Sequence, residues 1–162
     1  MKRLFLIPLL FVVCLISCKQ EYNILEYQNY NIEASCTVND KYSVNITKSN
    51  DVKRLEICSP DTLKGILFEI RDDKAFAIKD DIEIPVSTDS LKGIGALLNS
   101  FSLSEDAMTT VSLNNIISFD TDYGLYTVTY GENNLPQNIK IAGDTYEYNI
   151  TVNTIMLSPD SQ

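Results

Sequence analysis

From residue 30 onward the chain alternates between apolar and polar positions. Ile32, Ala34, Cys36 and Val38 are separated by Glu33, Ser35 and Thr37, the period-two pattern of a strand with one buried face. Asn39-Asp40-Lys41 then supplies turn residues, Tyr42, Val44 and Ile46 alternate with Ser43, Asn45 and Thr47, and Ser49-Asn50-Asp51 precedes Leu55-Glu56-Ile57. Three strands joined as consecutive hairpins are predicted, forming a meander with one apolar face.

After Pro60-Asp61 and Gly65 the chain reads Ile66 to Ile70, a turn at Asp72-Asp73, Ala75 to Ile78, a turn at Asp80-Asp81, and Ile82-Glu83-Ile84. Positions 66, 68, 70, 76, 78, 82 and 84 are all large and apolar, which predicts one common face in need of a cover. The following segment can supply it. Leu91, Ile94, Leu97, Leu98 and Phe101 recur at helical spacing, behind Ser87, Thr88 or Asp89 as a capping residue. Gly93 and Gly95 weaken that helix by about 1 kcal/mol each, so packing must supply the difference; close approach of helix to sheet is the expected reason for them.

Past Ser104-Glu105-Asp106 the strand pattern returns at residues 110–113 and 116–119, then more clearly at 125–130, 138–141 and 146–152. The prediction is a mainly β (α+β) domain, a curved antiparallel sheet or half-barrel of about nine or ten strands with one covering helix. No Gly-rich βαβ signal, internal repeat or low-complexity linker interrupts it.

The first residues differ in kind. Lys2 and Arg3 precede an apolar run from Leu4 to Ile16, the order of a secretory signal. The run is shorter than the roughly 20 residues a spanning helix needs, and Pro8 lies within it. Leu15-Ile16-Ser17-Cys18 resembles the bacterial lipobox in all four positions, which implies cleavage before Cys18 and acylation of its thiol. Two or three acyl chains at about 0.8 kcal/mol per buried methylene make a stable anchor. The expected layout is a signal peptide over 1–17, a lipidated tether over 18–29, one domain over 30–157 and a disordered tail over 158–162. The protein would thus be exported and held to the cell envelope by lipid on Cys18.

Composition narrows the chemistry. The formal net charge is -9, with 13 basic against 22 acidic residues, and loss of Lys2 and Arg3 with the leader makes the remainder more negative. Nucleic-acid binding, which relies on clustered Lys and Arg, is disfavoured. The chain has no histidine, which excludes triads with a histidine base and the commonest metal ligand. No cofactor or metal is called for. Of four cysteines, Cys14 leaves with the leader and Cys18 carries lipid. Cys36 sits on the apolar face of its strand, whereas Cys58 alternates away from Leu55 and Ile57, two strands off. Two strand spacings of about 4.8 Å exceed the Cα separation a disulfide accepts, so this pair is expected to stay unbridged.

Other candidate sites have plainer accounts. Asp120-Thr121-Asp122-Tyr123-Gly124 opens like a calcium loop, but the closing acidic position falls at Gly131; a polar β-turn is the better account. Asp72-Asp73 and Asp80-Asp81, beside Lys74 and Lys79, read as solvated turn charges rather than a hydrolytic pair. The nine tyrosines, Tyr123, Tyr126, Tyr130, Tyr146 and Tyr148 among them, either form a binding surface or simply suit strands.

A lipobox, a meander, a covering helix after Ile82-Glu83-Ile84-Pro85, and closing strands containing Asn134-Leu135-Pro136-Gln137-Asn138-Ile139 together resemble the LolA/LolB-like lipoprotein-carrier half-barrel superfamily, over about residues 30–155. That superfamily includes carriers of lipoproteins, receptors for acyl chains, a regulatory domain of envelope-stress sensing and clostridial lipoproteins of spore germination. The Asn-, Ile-, Lys- and Asp-rich composition leans toward the last group. The resemblance implies a cavity between sheet and helix, lined here by Ile66, Phe68, Ile70, Phe76, Ile78 and Ile84 opposite Leu91, Ile94 and Leu98. It makes the chain a non-catalytic binding or interaction module of the cell envelope, with an envelope protein as partner. The alternative is a carrier or receptor for an acyl chain or lipid.

Overall fold

The computed structural model describes residues 30–49, 52–87, 91–111 and 115–159; the expected signal peptide, Cys18, the expected tether over 18–29 and residues 160–162 lie outside them. Eleven strands form one antiparallel sheet that follows chain order except where β11 inserts beside β1. They are β1 (Tyr30–Val38), β2 (Tyr42–Lys48), β3 (Val52–Ser59), β4 (Leu67–Arg71), β5 (Lys74–Lys79), β6 (Ile82–Val86), β7 (Met108–Val111), β8 (Ile116–Thr121), β9 (Gly124–Tyr130), β10 (Pro136–Ala142) and β11 (Glu147–Pro159). The spatial order is β6-β5-β4-β3-β2-β1-β11-β10-β9-β8-β7, so β6 and β7 are free edges. The count exceeds the nine or ten expected, because the short β7 and β8 are separate members of the ladder. β11 runs two residues past the expected domain end, with Pro159 opposite Tyr30.

One helix, α1 (Lys92–Leu98), crosses the inner face. Its N-cap is Leu91, with no side-chain cap, so Ser87 does not take the capping place expected of it; Thr88 and Asp89, the other expected caps, lie outside the described residues. Leu97 and Leu98 are buried, as is Phe101 in the turn that follows. The helix forces the sheet to bend. Asn99 at its C-terminal end accepts a hydrogen bond from Lys53 on β3, and the Ala96 carbonyl accepts one from Tyr126 on β9 at 2.9 Å. β3 and β9 stand five strand spacings apart in the ladder, about 24 Å on a flat sheet, whereas seven helical residues span only about 10 Å. The sheet reaches both only by curling around the helix, which makes it an open trough.

The core fills the middle of that trough. Ile32, Cys36, Ile46, Ile117, Phe119, Tyr126, Ile139, Ile141 and Ile150 have at most 1% of their surface exposed. Burial falls away toward β6, where Ile82 is 65% and Ile84 56% exposed.

The hairpin turns set which residues share a face. Asp72 and Asp73 both have positive φ (49° and 59°), as do Asp80 and Asp81 (49° and 64°), the backbone of a two-residue type I′ turn. Such a turn places Arg71 opposite Lys74 and Lys79 opposite Ile82. Inward positions are therefore even on β4, odd on β5 and even again on β6. Phe68 faces with Ala77, and Ala77 with Ile84. Phe76 and Ile78 consequently belong to the outer face with Glu69 and Leu67, not to the common inner face that unbroken even numbering predicted.

Cys36 and Cys58 are both free. Cys36 is fully buried, and desolvation raises its thiol pKa to about 12. Cys58 is the extra residue of a bulge, since Ser43 opposes Ser59 while Val44 opposes Ile57.

Candidate functional site

Between α1 and the β1–β4 side of the trough lies a groove of about 300 Å³, near the lower end of ligand-site volumes. The sheet contributes Val44, Leu55, Ile57 and Phe68 to its floor, and the helix contributes Ile94 and Leu97 to its roof. Val38 and Leu63 are also in its wall, together with Tyr42 and Tyr148. Leu63 is carried by the Pro60–Gly65 turn, held to β3 by Gly65 N–H donating to the Ile57 carbonyl at 2.9 Å. Its wall is mainly aliphatic.

The residues that the resemblance assigned to a cavity divide four ways. Phe68 and Ile94 line the groove. Leu98, 1% exposed, is core, and Ile70 is half-buried against the same cluster and does not line the groove. Ile66 and Ile84, with Ala77 and Ile82, border a second and more open depression of about 320 Å³ on the uncovered β4–β6 wing, where Ile78 also contributes to the wall from the strand end. Phe76 is removed from either space, as its ring lies on the outer face with the Arg71 guanidinium 4.3 Å above it. Leu91, at the helix start, lines neither depression. The sequence pattern did not single out Val38, Tyr42, Val44, Leu55, Ile57 and Leu63 as groove residues. They read as ordinary strand and turn positions, and only the placement of α1 over β1–β4 distinguishes them from core.

The helix owes its position to glycine and tyrosine. A Cβ on Gly95 would stand 2.8 Å from the Tyr123 ring, and one on Gly93 would stand 2.5 Å from the Tyr148 hydroxyl. Both glycines thus admit tyrosine rings against the helix, as expected from tight packing. Tyr146 donates to the Tyr123 carbonyl at 2.7 Å and stacks on Tyr148 with ring centroids 5.4 Å apart. Tyr126, fully buried, has its phenol pushed up by desolvation first, then by Tyr146 and Tyr123. Four of the tyrosines weighed as a binding surface therefore dock the helix, although Tyr148 also faces the groove.

Two acidic features have structural roles. Thr121 closes the β8–β9 turn: its hydroxyl accepts from Tyr123 N–H and donates to the Gly124 carbonyl, each at 3.1 Å. Gly124 is required there, since it has φ 110° and a Cβ would meet the Ala142 carbonyl oxygen at 2.3 Å. On the outer face, Glu69 is 2% exposed and lies under a single layer of side chains. Arg54 and Arg71 each donate to one of its oxygens at 2.6 Å, and Arg71 also pairs with Glu83 at 2.7 Å. Desolvation pushes the Glu69 pKa up, but the hydrogen bond and charge of Arg54, then those of Arg71, hold it below the ordinary glutamate value. Among the described residues no group of three or more Cys, Asp or Glu is arranged to hold a metal ion, and no helix is long and apolar enough to cross a membrane.

No protein-family model matches the chain, and no curated protein matches it. Its fold is similar to that of an uncharacterized conserved protein from Thermus thermophilus, with a TM-score of 0.49 and 8% identity over 85% of this chain and 87% of that one. It is also similar to a LolA superfamily protein from Nitrosomonas europaea, with a TM-score of 0.40 and 10% identity over 83% of this chain and 92% of that one.

Proposed function

We propose that the chain is a lipid-anchored, non-catalytic binding module of the bacterial cell envelope, and that the groove beneath α1 receives an acyl chain. One observation carries this reading: a largely aliphatic groove of about 300 Å³ between a curled sheet and a helix that lies over it. Each methylene moved from water into such a wall gains about 0.8 kcal/mol, enough over a medium-length chain to offset the cost of immobilising it. The groove walls offer neither a nucleophile paired to a base nor a carboxylate pair, so binding rather than turnover fits them. Cys18 supplies the membrane attachment in this account, and the likeness of the sequence pattern to envelope carriers, clostridial germination lipoproteins among them, supplies the cellular setting.

The test is native mass spectrometry with lipid extraction on the exported protein, purified without detergent from the expressing bacterium. A fatty acid or phospholipid retained at near one per chain is expected; a clean apo mass, persisting after incubation with fatty acid, would overturn the acyl-chain reading. A second reading has its own observation. Ile82 and Ile84 stand exposed on the β6 edge of the trough, an apolar strip suited to an envelope protein partner. In that case Ile84→Asp would abolish capture of the partner without affecting acyl-chain retention.

A further inference from the structure

We infer that Tyr42 and Tyr148 form the polar end of the groove and select an acyl ligand by its carbonyl or carboxylate oxygen, with the hydrocarbon tail running toward Leu55 and Phe68. The inference rests on the acyl-chain reading above and names the ligand class of that site.

Of the ten residues that line the groove, eight have no polar side-chain group; the exceptions are Tyr42 and Tyr148. The ladder brings these two together. Tyr42 stands opposite Val38 at the end of β1, and Ile150 stands opposite Val38 on the other side. Tyr148 is one inward position beyond Ile150, so the two tyrosines flank the tip of β1 from β2 and β11. They are near enough for Tyr42 to act on the Tyr148 phenol, which is raised first by burial and then by that neighbour. Tyr148 thus remains a neutral donor throughout the physiological range.

What sets the pair apart is unused hydrogen-bonding capacity. Tyr126 and Tyr146 each donate to a backbone carbonyl. Tyr42 and Tyr148 donate to no such carbonyl among the described residues, and neither hydroxyl is a buried group without a partner, so both open to water. A phenol at the edge of an apolar groove that donates to water can exchange that water for the one polar part of an acyl ligand. A tail-first ligand places its oxygen there while its methylenes meet the aliphatic wall.

Free fatty acids and acyl esters share this chemistry, and the experiment separates them. The exported protein is loaded with the neutral probe N-phenyl-1-naphthylamine, which is then displaced by dodecanoic acid, methyl dodecanoate and dodecane. The same series is run on Tyr42→Phe, Tyr148→Phe and the double variant. A neutral hydrogen bond is worth about fivefold in affinity. Each single change should therefore weaken the oxygenated ligands about fivefold and the double about 25-fold, leaving dodecane and the probe unchanged. Loss for the acid alone identifies a carboxylate ligand, and loss for acid and ester alike an acyl carbonyl; both support the inference. Equal wild-type affinity for acid, ester and alkane would overturn it while leaving the groove reading intact. So would a double variant that loses all three ligands in proportion. A wild-type protein that takes up neither probe nor ligand would overturn the groove reading and this inference together. Should the variants melt early, the wild-type ratio of acid and ester to alkane decides alone.

Discussion

Replacing the two arginines that flank Glu69 isolates a single covered charge. In the wild type one carboxylate oxygen takes Arg54 Nε and the other Arg71 Nη1, both at 2.6 Å. The guanidinium side chains are 52% and 38% exposed while the carboxylate side chain is 3% exposed, so water can replace the carboxylate at the arginines but not the arginines at the carboxylate. Arg54→Met or Arg71→Met alone leaves one charge-assisted donor in place. The Arg54 change should cost about 1 kcal/mol, the low end for such bonds because its donor is half in water, and the Arg71 change should be destabilising in the same direction. Together they leave a desolvated carboxylate with no donor, for which about 3–5 kcal/mol is expected, more than the sum of modest single losses. The pH dependence changes sign as well. With its pKa held low in the fold, wild-type Glu69 contributes stability above its unfolded pKa of about 4.3, and that contribution is lost as pH falls through the lower folded value. With both donors gone, desolvation dominates, the folded pKa rises above the unfolded one, and acid relieves the penalty. Urea denaturation at pH 7 and pH 4 measures both effects. The gap between wild type and double variant should shrink at pH 4; a double variant that costs no more than the single variants combined, with the same gap at both pH values, would show that the carboxylate reaches water and refute the reasoning.

Three further perturbations have expected outcomes. Tyr126→Phe removes the buried hydrogen bond to Ala96 and should cost about 1 kcal/mol, read by thermal melting; the Ala96 carbonyl retains a longer bond from Ser100 Oγ at 3.3 Å, which limits the loss. Asp73→Gly and Asp81→Gly relieve left-handed backbone at the second turn positions and should each stabilise the protein by about 0.5 kcal/mol in urea denaturation. With a thiol pKa of about 12 and full burial, Cys36 should resist maleimide at pH 7.5 in the folded protein, while the partly exposed Cys58 is labelled first.

The meander was legible because alternation over β1 and β2 is nearly perfect, and the hairpin turns because adjacent Asn and Asp tolerate positive φ. The helix was legible from Leu91, Ile94, Leu97, Leu98 and Phe101, and its glycines correctly signalled close packing. Facing was misread where it depended on turn length. A two-residue turn shifts the inward register from even to odd, so Phe76 and Ile78, apolar and even-numbered, turn out of the trough, while the small Ala75 and Ala77 turn in. Large side chains on the outer face are explained by what they cover: Phe76 lies under Arg71 and beside Glu69. The groove itself was not legible, because Val44, Leu55 and Ile57 have the same alternating pattern whether a helix rests on them or stands slightly off. That gap is a tertiary property of α1, set by Tyr123, Tyr146 and Tyr148 pressing on its glycine side.

Whether an acyl chain enters the proposed groove can be measured directly. A methyl-resolved NMR titration of the purified protein with dodecanoic acid reports each aliphatic wall residue separately. Saturable shifts are predicted at Val44, Leu55, Ile57, Ile94 and Leu97, with Ile82 and Ile84 on the open wing unmoved. Shifts confined to Ile82 and Ile84, or no saturable shift at all, would contradict the account.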